Sequence, residues 1–307
     1  MKNIIRTYSA VLLAIVFWSF SFIWFKIANE TYLPLTIVFS RLVIAVFLLT
    51  TFLLLTRGFT PIKKADRKYF LILALFEPFF YFLGESYGLT YVSATVGSVI
   101  ISLIPVISAL GAWIFLREKL RIINYAGIAL SFIGIIVFII NKDGNMLFNL
   151  KGIALLFLAV LSAVGFNLTL SRLVGTYKPV FIVTVQNIIG VILFLPVFLI
   201  TDFQKFINTP FVFKSFIPII ELSVFASCGA FILFAYSIKK IGVSRANVFT
   251  NCIPVFTAIF SFFILGDRLT PQNIAGMVIV ITGLFLSQIN GRKKKIDEGL
   301  ALAGKTA

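Results

Sequence analysis

Residues 98–127, SVIISLIPVISALGAWIFLREKLRIINYAG, return 149 positions later as residues 247–276, NVFTNCIPVFTAIFSFFILGDRLTPQNIAG. Ile104-Pro105-Val106 falls on Ile253-Pro254-Val255, Leu116 on Leu265, Glu118 on Asp267, Asn124 on Asn273 and Gly127 on Gly276, with no gap. The register continues to Gly134 and Gly283 and reaches back to Tyr87 and Tyr236. Nearer the N-terminus the offset becomes 145, which carries Ala14 to Ala159 and Pro34 to Pro179. The chain is therefore two copies of one unit, each about half its length.

The material around these copies is apolar. Of 307 residues, 60% are hydrophobic and 12% charged, and the mean hydropathy is +1.07. A soluble domain runs at about 45–50% apolar and about 25% charged, so a water-soluble enzyme is excluded. A spanning helix needs about 20 mostly apolar residues. Ten runs qualify: 8–27, 35–56, 69–89, 94–116, 122–140, 152–170, 179–200, 216–237, 244–265 and 273–288. Each copy holds five. An odd number of spans turns the second copy upside down relative to the first. The expected fold is thus an all-α membrane protein with ten transmembrane helices, arranged as two inverted five-helix repeats around a central cavity. The expected units are 1–140, 141–290 and a polar tail, 291–307. The first run is as long as a full span and has no Ala-x-Ala cleavage site, so it reads as a mature helix and not a leader.

The net charge of +16 has a topological explanation. With the N-terminus inside, 20 of the 27 Lys and Arg fall on the same side. The bias assigns both termini to the cytoplasm and the chain to a plasma membrane, as in a bacterial inner membrane. It also removes the need for a nucleic-acid partner. No His is present, which excludes a Ser-His-Asp triad and His-based zinc sites. Cys228 and Cys252 both sit in apolar runs, without the spacing of a disulfide framework or a metal site. No cofactor or metal is expected, and no nucleotide-binding loop suggests direct use of ATP.

The run Pro105…Leu116-Arg117-Glu118-Lys119-Leu120…Asn124-Tyr125-Ala126-Gly127…Gly134 and its second copy resemble the EamA-type drug/metabolite transporter superfamily. Tyr87-Gly88-Leu89-Thr90-Tyr91-Val92-Ser93-Ala94, leading into the fourth run, is similar to it as well. The resemblance covers both halves, to about residue 290. It implies a ten-helix carrier with runs 1–4 and 6–9 lining the cavity and runs 5 and 10 outside. It also implies export of amino acids and related small metabolites.

Intramembrane polar residues nominate the site, because a charge facing lipid costs at least about 2.5–3.5 kcal/mol at the bilayer centre. Glu77, Tyr81 and Glu85 are spaced i, i+4, i+8, which places them on one helical face. Glu77 and Glu85 are the candidates for proton coupling, since a carboxylate out of water holds its proton more readily. Arg41 lies two turns into the second run and either binds a substrate carboxylate or pairs with Glu85. The 145 offset carries Arg41 to Gln186, beside Asn187. Ser98 and Ser102 match Asn247 and Asn251, each pair one turn apart and each ahead of a proline, Pro105 or Pro254. Those prolines are expected to kink their helices and free the carbonyls of Ile101 and Thr250. Asn167 in the sixth run and Trp18, near the middle of the first, complete the substrate-binding candidates.

These readings converge on a secondary exporter of amino acids or similar small metabolites, working by alternating access and coupled to protons. Its partners are a small-molecule substrate and the lipid bilayer, and a monomer is the favoured state. An exporter of lipophilic cations fits two glutamates and 36 Phe as well. An intramembrane lipid-modifying enzyme fits poorly, for want of His or a cluster of acids.

Overall fold

A computed structural model describes residues 2–108, 110, 122–139 and 149–288. The described chain is helical throughout. Among the described residues, seven helices are long and apolar enough to cross a membrane: α1 (Lys2–Ala28), α2 (Pro34–Leu55), α3 (Lys64–Tyr91), α6 (Leu150–Leu173), α7 (Pro179–Thr201), α8 (Phe213–Ile241) and α9 (Arg245–Ile264). Three shorter apolar helices occupy the other expected runs: α4 (Ala94–Ser108), α5 (Ile122–Ile139) and α10 (Pro271–Gln288). The 18 described residues of α5 and of α10 rise about 27 Å. The fourth run was expected to reach 116, and all of it after 108 except 110 lies outside the described residues, as do Arg117, Glu118 and Lys119.

Local sequence explains several helix starts. Proline opens α2, α7 and α10, where its fixed φ suits the first turn and its missing N–H would lack a partner anyway. Asn149 caps α6 by accepting from the Lys151 amide at 2.9 Å. No side chain of its own caps α2; Asp202, just past the end of α7, accepts the Thr36 amide at 2.9 Å instead.

Packing follows the repeat registers. α6 lies against α3 and α4, and α1 lies against α8 and α9, their counterparts. α5 and α10 pack on each other. Asn124 Nδ2 donates to the Ser287 carbonyl at 2.9 Å, and Asn273 Nδ2 donates to the Phe138 carbonyl at 3.0 Å. The 149 offset carries Asn124 to Asn273 and Phe138 to Ser287, so the two bonds are one interaction made twice in opposite directions. Glycine permits this approach. A Cβ on Gly127 would come within 2.7 Å of the Gly283 carbonyl, and one on Gly276 within 2.7 Å of the Phe138 amide.

The breaks in the helices also repeat. Wide, π-type turns occupy Leu75–Phe80 in α3 and Leu222–Ala230 in α8. α4 loses regular geometry at 102–103, ahead of Pro105, and α9 tightens over Val248–Cys252, ahead of Pro254. Irregular backbone within a membrane survives where it is buried in protein or lines a cavity, and these four stretches lie around the centre of the bundle.

Candidate functional site: a cavity between the two halves

A cavity opens among α1, α2, α3, α4, α6, α8 and α9. Of the candidates read from the sequence, Trp18, Arg41, Glu77, Tyr81, Glu85, Asn167 and Asn247 line it. Its remaining wall is Ser21, Phe22, Phe82, Ile101, Ile104, Ala163, Phe166, Phe231, Phe234, Thr250 and Ile253.

α3 supplies the acidic face. Glu77 has φ −146° and ψ 120°, outside the helical region, so the simple i, i+4, i+8 spacing is broken at its first member. The wide turn nevertheless brings all three side chains to the same wall. The Tyr81 hydroxyl donates to Glu85 Oε1 at 2.9 Å. Glu77 and Glu85 are both buried, at 6% and 8% exposure.

Arg41 shares the cavity wall with Glu85 and Glu77. Neither carboxylate comes within ion-pair distance; among the described residues that contact is seen for Lys214 and Glu30 alone. Arg41 Nε instead donates to Ser227 Oγ at 2.9 Å, and its guanidinium carbon lies 4.2 Å from the centre of the Phe82 ring.

The second half adds two amides to the wall. Asn167 and Asn247 are buried, and the side-chain oxygen of each lacks a hydrogen-bond partner among the described residues. Trp18 meets Phe231 and Phe234 edge-on, with ring centres 5.3 and 4.8 Å apart.

Other candidates lie off the wall. Ser98 and Ser102 donate to carbonyls of their own helix, Thr95 and Val99, at 2.7 and 2.6 Å, a local bond common for buried hydroxyls. Neither is part of the cavity wall. Asn251 sits behind Thr250, 1% exposed, with both amide atoms unpartnered among the described residues. Gln186 Oε1 is likewise buried and unpartnered, and Asn187 Nδ2 donates to the Ser227 carbonyl at 3.5 Å.

The wall obeys the repeat. The 145 offset carries Trp18 to Ala163 and Phe22 to Asn167; the 149 offset carries Phe82 to Phe231, Glu85 to Phe234, Ile101 to Thr250 and Ile104 to Ile253. Wall residue meets wall residue in each pair. That register was the signal from which Phe22, Phe82, Phe231 and Phe234 were readable. The chemistry is not symmetric, however. Arg41, Glu77, Tyr81 and Glu85 have Gln186, Ala226, Ala230 and Phe234 as counterparts. All the ionisable groups of the wall come from the first half.

Comparison with known proteins agrees with this architecture. The sequence model of the EamA-like transporter family matches residues 5–140 and 150–288. An uncharacterized transporter of Archaeoglobus fulgidus is 27% identical over 274 residues, covering 89% of this chain and 95% of the relative. The uncharacterized transporter YcxC of Bacillus subtilis is 26% identical over 302 residues, covering 94% and 96%. A solved crystal structure superposes with a TM-score of 0.67 at 14% identity, covering 92% of this chain and 98% of the other, a likeness of fold alone.

Proposed function

This chain belongs to the EamA-like transporter family, and on that premise we propose that it exports amino acids or related small metabolites across a plasma membrane by proton-coupled alternating access. It is a multi-pass membrane transporter and not an enzyme. The proposal adds ten spans, two inverted five-helix halves, cytoplasmic termini, a substrate class and a driving force.

The observation that carries it is the cavity itself. Its wall is drawn from both halves, and it offers a cation, two carboxyl groups and two unpartnered amide oxygens. A small molecule with both charged and polar groups is complementary to that wall. Glu77 and Glu85 supply groups that exchange protons while substrate occupies the same space.

Rocking of the halves is supported by a pair of matched contacts at opposite ends. The Tyr32 hydroxyl accepts from the Val212 amide at 3.2 Å, where the α1–α2 turn meets the start of α8. The Tyr177 hydroxyl accepts from the Lys63 amide at 3.1 Å, where the α6–α7 turn meets the start of α3. The offsets carry Tyr32 to Tyr177 and Lys63 to Val212, so one latch occurs once on each face.

The test is uptake of radiolabelled amino acids into proteoliposomes under an imposed pH gradient. Accumulation that follows the gradient and collapses with a protonophore is the expected result. A second reading, export of lipophilic cations, draws on the aromatic wall of Trp18, Phe22, Phe82, Phe166, Phe231 and Phe234, since cations bind ring faces. Tetraphenylphosphonium uptake without amino-acid uptake would select it.

A further inference from the structure

Arg41 is held in a way that its own helix does not provide. It is 4% exposed on α2, in the first half of the chain. Its Nε–H donates to Ser227 Oγ at 2.9 Å, across 186 positions of sequence, and Phe82 of α3 covers one face of the guanidinium. Ser227 is fully buried in the wide-turn stretch of α8, and its carbonyl is tied to Asn187 of α7. Four helices therefore converge on the orientation of one side chain.

These contacts consume Nε and one ring face. The edge that carries the two terminal nitrogens finds no hydrogen-bond acceptor and no carboxylate at contact distance among the described residues. Arg41 is nonetheless part of the cavity wall. A buried cation without a contact counter-ion is costly, and a guanidinium edge presents two parallel N–H groups that fit a planar oxyanion. Glu85 does not fill that place: it lies beyond ion-pair distance, and its Oε1 accepts from Tyr81 at 2.9 Å.

We infer that Ser227 is a positioning residue which, with Phe82, fixes Arg41 edge-on to the cavity, so that the carrier selects substrates bearing a carboxylate. The inference rests on the transporter reading of the cavity and adds the recognised group. The second half contributes no ionisable group to the wall, yet through Ser227 it controls how the one cation of the wall is presented.

The experiment uses the full chain in proteoliposomes, with a mixture of labelled protein amino acids as the transported probe. Unlabelled leucine and phenylalanine compete against leucinamide and phenylalaninamide, which keep the side chain and amine but lack the carboxylate. Each acid is expected to compete at least about 10-fold better than its amide, the loss that follows from one missing hydrogen-bonded charge. Ser227→Ala and Phe82→Leu should each reduce that preference by about 10-fold through a higher KM for the acid. Ser227→Thr keeps the hydroxyl and should restore the preference. A merely structural serine would lower the melting temperature without moving the acid-to-amide ratio, and that result overturns the inference. If Ser227→Ala does not fold, Phe82→Leu and Ser227→Thr decide it by the same ratio. Amides that compete as well as acids also overturn it. Tetraphenylphosphonium uptake with no uptake of amino acids removes this inference and leaves a transporter. Uptake of neither by folded protein removes both.

Discussion

At the scale of single residues, the two carboxylates of α3 differ in their surroundings and should differ when changed. Glu85 accepts from Tyr81, whereas Glu77 sits at the break in the helix. Glu85→Gln preserves shape and can still accept from Tyr81, but it cannot ionise. If Glu85 carries the proton, pH-driven accumulation is lost and downhill exchange of substrate persists. Normal accumulation by Glu85→Gln would transfer the role to Glu77, tested by Glu77→Gln in the same assay. Asn251 gives a second residue-level expectation. Its buried amide has no partner among the described residues, a state that costs about 1–3 kcal/mol. Asn251→Leu, of similar volume, should raise the melting temperature while slowing transport, if the amide serves another conformation of the carrier. Unchanged transport with a higher melting temperature would make Asn251 a packing residue alone. The sequence exposed these acids and amides because polar groups are rare in apolar runs. It could not expose Ser227, one hydroxyl among many in such runs, whose importance arises from a contact 186 positions away. It also could not show that the Ser98 and Ser102 hydroxyls would turn to their own helix.

At the scale of helices, proline and glycine made the architecture readable. Pro105 and Pro254 stood in register, and the structure places an irregular stretch ahead of each. The wide turns of α3 and α8 were harder to foresee. Pro78 marks the first, but no proline or glycine pair opens the second, at Leu222–Ala230. Side-chain spacing assumes 3.6 residues per turn, and a π-type turn changes that count. The α5–α10 pair yields a prediction. Gly127→Ala and Gly276→Ala both place a methyl against backbone of the facing helix. Overpacking of this kind costs about 1–3 kcal/mol. Because the repeat makes the two sites equivalent, thermal denaturation should show losses of similar size. Neither position lies on the cavity wall, so transport should persist below the lowered melting temperature. Loss of transport with an unchanged melting temperature would mean that the pair takes part in the working motion.

At the scale of the whole molecule, orientation and motion stand or fall together. The cation count puts 57–68 in the cytoplasm and 202–212 outside. In a background without Cys228 and Cys252, Lys205→Cys should react with an impermeant maleimide on intact cells. Lys64→Cys should react only after permeabilisation. The reverse pattern would invert the molecule and leave the inverted-repeat packing untouched, whereas labelling of both sites from outside would break the odd-span unit. With orientation known, the two tyrosine latches become opposed levers. Tyr32 ties the end assigned to the outside through one hydrogen bond, from the Val212 amide. Tyr177 closes the inner end through two, from the Lys63 amide and to Asp66 Oδ2 at 2.9 Å. A hydrogen bond contributes about 0.5–1.5 kcal/mol, enough to shift a two-state ratio several-fold. Tyr32→Phe should therefore make a cysteine at Ser21, on the cavity wall, more reactive from outside. Tyr177→Phe should make it less reactive from outside and more so from inside, with the larger change because two bonds are lost. Equal and parallel changes in both variants would mean that the tyrosines only hold the ends of the bundle together. Opposite changes would tie the duplicated sequence to a molecule that opens at one end when the other is latched.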